Sequence, residues 1–169
     1  HGSVIAEVVE PGTVEGADGL VTRVEGLALL ALGADCALVA LADASAGVVG
    51  VLHCGWLGLV RGAVPAMLDA MSRAGAMHLS AVIGPSICAP CYPVPAERID
   101  MVRTATPTTV ADAACPGSGV IDVGAGVRAY LVAAGIDPML TGGCTAERAD
   151  LFSYRRDGVT GRQGMIVVR

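Results

Sequence analysis

Hydrophobic and polar positions fall in short blocks along the chain, and β-branched runs punctuated by glycine and proline dominate the first half. Residues 4–9 form one such run, closed by Pro11-Gly12, and predict a strand. Residues 27–32 and 37–41 are apolar runs on either side of Gly33-Ala34-Asp35-Cys36; residues 47–54 form another, ending before Gly55-Trp56. Each predicts a buried strand. Over residues 60–73 the apolar positions Val60, Val64, Met67, Leu68 and Met71 recur at helical spacing and predict one amphipathic helix closed by Gly75. Residues 78–83 return to strand before Gly84-Pro85. Helices follow after Pro95, at 96–102, and at 127–134 before Gly135, with short strands at 119–123 and 164–168. There is no internal repeat, no linker and no strict βαβ rhythm. The pattern predicts one α+β domain with mixed sheets over residues 1–169.

Composition narrows the function classes. Hydrophobic residues make up 53% of the chain and charged residues 16%, which excludes disorder as its dominant state. Aromatics are only 3%, so the core is built from aliphatic side chains. A net charge of −5 argues against a nucleic-acid binder, because phosphate contacts need a basic face. The longest apolar stretch, residues 27–42, is interrupted by Gly33 and Asp35 and falls short of the roughly 18 residues of a spanning helix. His1 stands in mid-pattern with no Met before it, so an N-terminal segment is expected to be missing. Six irregularly spaced cysteines in a long apolar chain read as reduced thiols of a cytoplasmic protein rather than a disulfide framework.

Asp35-Cys36 lies where one predicted strand ends before another begins, and His53 ends a third, seventeen residues later. Strand ends meet at a sheet edge, where sites are commonly built. Together with His1 they offer a Cys, His, His donor set, which leaves a fourth position open on zinc. Residue chemistry alone leaves other readings open: Cys36 as a small core residue, His53 as a satisfied strand-end histidine, His1 as a terminal remnant. Cys88-x-x-Cys91 is held in a loop by Pro85, Pro90 and Pro93, unlike a redox pair that opens a helix, and reads as a structural loop. Arg155, Arg156 and Arg162 lie within the most polar stretch and offer bidentate contacts to an anion such as phosphate, or form a solvated turn. Cys144-Thr145 follows Gly142-Gly143 and reads as a tight turn.

In this order the motifs resemble those of the bacterial YfiH-like proteins, the laccase-domain or polyphenol oxidase family, to which the FAMIN purine nucleoside enzymes are related. The residues that carry the resemblance are His1-Gly2; Ala34-Asp35-Cys36; His53-Cys54-Gly55-Trp56-Leu57-Gly58; residues 83–87 (IGPSI) followed by Cys91-Tyr92-Pro93-Val94; and Cys144-Thr145 with residues 153–162. The resemblance implies a layered α/β/β/α domain and zinc ligation by His1, Cys36 and His53. It further implies phosphorolysis of adenosine, inosine, guanosine or methylthioadenosine, or hydrolytic deamination of adenosine. Asp35 is then a candidate proton carrier beside Cys36 and His53, and Arg155, Arg156 and Arg162 candidate phosphate ligands. The family's arginine in H-A-G-W-R-G is Leu57 here, and Arg61 is the candidate replacement. The expected partners are a purine nucleoside and phosphate, with no nucleic acid or membrane, in a monomer or weak homo-oligomer. Three readings compete: a metal-independent cysteine hydrolase using Cys36 and His53, a copper-dependent phenol oxidase, and a metal-binding module without catalysis.

Overall fold

The computed structural model describes all residues, 1–169. It contains β1 (Ile5–Glu7), β2 (Gly19–Thr22), β3 (Ala28–Gly33), β4 (Ala37–Asp43), β5 (Val48–Cys54), α1 (Trp56–Val60), α2 (Ala63–Arg73), β6 (Ser80–Ile83), α3 (Ala96–Ala105), α4 (Thr108–Ala114), α5 (Val123–Ala133), β7 (Met139–Leu140), α6 (Tyr154–Asp157) and β8 (Gln163–Val168). Six strands form one mixed sheet in the order β1-β2-β5-β4-β6-β7, and β3 pairs with β8 in a second, two-stranded sheet. The β1–β2 and β6–β7 pairs are parallel and the remaining pairs antiparallel. This is the mixed-sheet domain flanked by helices that the pattern predicts.

Alternation along β5 divides the core. Val48, Leu52 and Cys54 join a cluster of 25 buried residues to which α1 through α5 all contribute. Val49 and Val51 face the other way, onto Leu29 of β3 and the inner positions Met165 and Val167 of β8. His53 continues the face of Val49 and Val51, so period two sends it to the side of the two-stranded sheet. Helix α2 lies so close to β5 that a side chain at Gly50 would strike the Met67 methyl and the Met71 sulfur.

Two expectations are corrected. The helix predicted over 60–73 is two helices, because Gly62 takes a left-handed conformation (φ 74°) between α1 and α2; Pro65 is tolerated within the first turn of α2. Residues 119–123 are not a strand. Val120 makes one isolated bridge to Pro93, and Asp122 caps α5 by accepting a hydrogen bond from Ala125 N–H at 2.8 Å. The apolar Val123 thereby becomes the first residue of a helix. Short elements also go unmarked in the sequence pattern: β2, α4, β7 and α6. No helix is long and apolar enough to cross a membrane.

Candidate metal centre

The antiparallel register of β4 and β5 pairs Ala37 with Cys54 and Leu38 with His53. Cys36, one residue before β4, therefore lies against Gly55, one residue after β5. His1 reaches the same point from the chain start, where Arg61 Nη1–H donates to the His1 carbonyl at 2.7 Å. Its ring meets that of His53 edge-on, with centroids 4.9 Å apart, and its Nε2 is 3.7 Å from Cys36 Sγ. One ligand atom from each of His1, Cys36 and His53 lies within 4.8 Å of the other two.

Several features fit a metal ion at this point. A Cβ at position 55 would sit 3.0 Å from Cys36 Sγ and 3.0 Å from His1 Cδ2, so glycine keeps the space between the donors open. Asp18 Oδ1 is 3.6 Å from His53 Nδ1, which leaves Nε2 as the free donor. A carboxylate behind a histidine is the usual outer partner of a metal ligand. Burial holds the His53 pKa below its ordinary value despite Asp18, so the ring is neutral and able to donate at neutral pH. Burial, with the neighbouring Asp35 carboxylate, pushes the Cys36 thiol up to about 11.

Asp35 is the only non-glycine residue with a positive φ, 86°. Its conformation is over-determined: Ile87 N–H donates to its carbonyl at 2.9 Å, Thr145 Oγ1–H to Oδ1 at 2.6 Å and Arg155 N–H to Oδ2 at 2.7 Å. Strain held by three separate contacts is typical of positions that shape a site. Each carboxylate oxygen accepts one of these bonds, which fixes Asp35 beside the Cys36 backbone.

The donors open onto a cavity of about 1180 Å³, walled by β3 on one side. Arg155 and Arg162 line it. Arg61 and Arg156 do not, contrary to the expectation for both. Arg156 is spent on the carbonyls of Thr145, Arg148 and Leu151 and on Asp157, and Arg61 on His1. The cavity contains residues that the sequence reading missed. Arg98 stacks over Trp56 at 4.4 Å, Arg155 stacks over Tyr92 at 4.7 Å, and Asp18 sits behind His53. Neither Arg98 nor Asp18 belongs to a motif, and both are joined to the site only by folding. The third histidine, His78, lies at the opposite end of β4, where its N–H donates to Asp43, about 17 Å away at strand rise.

The family model described as multi-copper polyphenol oxidoreductase laccase matches residues 1–169. A protein named purine nucleoside phosphorylase from Streptomyces griseus is 43% identical over 96% of this chain and 68% of its own length. A protein named adenosine deaminase from an unknown prokaryotic organism is 35% identical over 89% of this chain and 61% of its own. The crystal structure of the hypothetical protein YfiH from Bacillus licheniformis superposes with a TM-score of 0.87 at 32% identity, covering 99% of this chain and 71% of that one.

Proposed function

The chain belongs to the multi-copper polyphenol oxidoreductase laccase family, and we propose that it is a zinc-dependent purine nucleoside enzyme, a phosphorylase that also deaminates adenosine. One observation carries this reading: a cavity that places two arginine-backed aromatic rings beside three convergent metal donors. The names of the phosphorylase and deaminase relatives support the substrate class.

His1, Cys36 and His53 would hold the ion, in a set of one thiolate and two imidazoles that suits zinc and leaves a position for a ligand. When bound, zinc supplies Lewis acidity to a reacting oxygen. The protein supplies the rest. The Trp56 and Tyr92 rings offer apolar faces to a flat purine, and the guanidiniums behind them fix the ring planes. Arg162, whose Nη1–H donates to the carbonyls of Thr160 and Gly161, would turn its remaining N–H groups, with those of Arg155, toward phosphate. Asp18 orients His53, Asp35 holds Cys36, and Arg61 holds His1. In phosphorolysis a phosphate oxygen bonds to ribose C1′ as the C1′–N9 bond breaks and the purine departs with a proton. In deamination water adds at adenine C6 and ammonia leaves. Adenosine, inosine, guanosine and methylthioadenosine are the candidate substrates.

The competing readings have weaker support. A cysteine nucleophile needs a depressed pKa, whereas burial and Asp35 move Cys36 upward. A multicopper oxidase needs more histidines than the two at this site. A single copper bound by two histidines and a cysteine ordinarily adds an axial methionine, and none lines the cavity.

Incubation of zinc-loaded protein with adenosine, with and without phosphate, tests the proposal. Adenine and ribose 1-phosphate that appear only with phosphate mark the phosphorylase, and inosine marks the deaminase. If neither forms, the reading fails and a metal-binding module takes its place.

A further inference from the structure

A second group of metal-ligating side chains stands apart from the candidate centre. Cys88 precedes and Cys91 ends a single 3-10 turn (Ala89–Cys91) in the proline-rich loop after β6, and Cys144 and Glu147 lie in the turn after β7. One ligand atom from each of the four lies within 4.8 Å of the others. We propose that Cys88, Cys91, Cys144 and Glu147 form a second, structural zinc site that clips these two loops together.

The local geometry fits. Tetrahedral Zn–S bonds of about 2.3 Å put sulfurs about 3.8 Å apart, so closure needs side-chain shifts of only about 1 Å. Cys88 and Cys91 thiols already point to Glu147 Oε1, at 3.7 and 3.8 Å. Cys88 N–H donates to Cys144 Sγ at 3.3 Å, an N–H···S contact that stabilises a thiolate. Three thiolates and a carboxylate close the shell with no position left for substrate, which is the arrangement of a structural site.

Little regular structure joins the two loops. Between residues 84 and 95, and again between 141 and 153, only the one 3-10 turn is regular. The bridge between Ser86 and Cys144 and the Thr145 N–H to Ser86 carbonyl bond join them. The same loops hold Asp35 through Ile87 N–H and Thr145 Oγ1, and they carry Tyr92. A metal here would fix the support of Cys36 through Cys88 and Cys144, the chain neighbours of Ile87 and Thr145, without touching substrate. This site does not depend on the purine reading, because its ligands are separate from His1, Cys36 and His53.

Stripped, reduced wild-type protein titrated with zinc alone is expected to bind about two ions per chain. Four of its six thiols (Cys36, Cys88, Cys91 and Cys144) become protected from a thiol reagent. Cys36→Ala is expected to keep one zinc and three of those protected thiols. Cys88→Ser/Cys91→Ser is expected to lose one zinc, and its cobalt-loaded form to lose most of the sulfur-to-cobalt charge-transfer absorbance while the Cys36 contribution stays. The proposal is overturned if wild type binds one zinc and Cys36→Ala binds none. It is equally overturned if the reduced protein, offered zinc in air-saturated buffer, is oxidised by dioxygen to a disulfide among Cys88, Cys91 and Cys144 instead of holding the ion. The wild-type titration keeps the test decisive should the double variant fold poorly.

Discussion

Asp18 Oδ1 lies 3.6 Å from His53 Nδ1, and this pair ties a loop residue outside every motif to the metal centre. Asp18 is 9% exposed and His53 19%, so the contact operates with little competing water. Asp18→Asn keeps the size and loses the charge. It is expected to weaken zinc binding by roughly 10- to 100-fold, the range for outer partners of a ligating histidine. Competition against a chelator of known affinity measures it.

Gly55→Ala introduces a methyl 3.0 Å from both Cys36 Sγ and His1 Cδ2. The backbone there (φ −94°, ψ −176°) accepts any residue, so the effect falls on the donors and not on the chain. Crowding of about 1–3 kcal/mol predicts a roughly 5- to 100-fold loss of zinc affinity. Thermal stability of the metal-free protein is expected to change much less, which calorimetry on stripped samples checks.

Zinc binding should release a proton from Cys36. Burial and Asp35 push the free thiol up to about 11, so it is protonated at neutral pH. Between about pH 7 and 10, the apparent affinity is expected to rise roughly tenfold per pH unit. A flat profile from isothermal titration across that range would remove Cys36 from the ligand set.

Arg162 is expected to bind phosphate. Arg162→Ala removes a charge-assisted contact of about 1.5–3 kcal/mol and should raise the phosphate KM roughly 10- to 100-fold with little effect on deamination. Initial rates of both reactions on one preparation separate these outcomes.

Asp43 governs acid stability at the opposite end of β4. Its carboxylate accepts from Ser45 Oγ and from the N–H groups of Ser45, Ala46, Met77 and His78, which hold its pKa well below the usual carboxylate range. A depressed native pKa contributes stability that is complete above the unfolded value, about 3.9, and fades as pH falls below it. Asp43→Ala is therefore expected to lower the urea midpoint at pH 7, and its gap from wild type should narrow below about pH 4.

The parts of this architecture that rest on local patterning were legible in the sequence. Strands β3, β4 and β5 are largely apolar runs, and two residues at their ends, Cys36 just before β4 and His53 one residue short of the end of β5, carried the motif resemblance. Other parts depend on contacts between distant segments. Gly62 divides a helix whose apolar spacing runs straight through it. Arg156 sits in an anion-binding pattern, yet four backbone carbonyls within its own loop claim its guanidinium. Asp18 has no motif around it and acquires a role only because β2 lies beside β5. Cys144 is 56 residues from Cys88, and neither spacing nor composition joins the two before the loops fold together.

Anomalous diffraction at the zinc edge from zinc-loaded crystals tests the central claim most directly. The account predicts a peak about 2.0–2.4 Å from His1, from Cys36 Sγ and from His53 Nε2, facing the cavity beside Trp56 and Tyr92. Strong zinc density elsewhere, with none among these three residues, would contradict it.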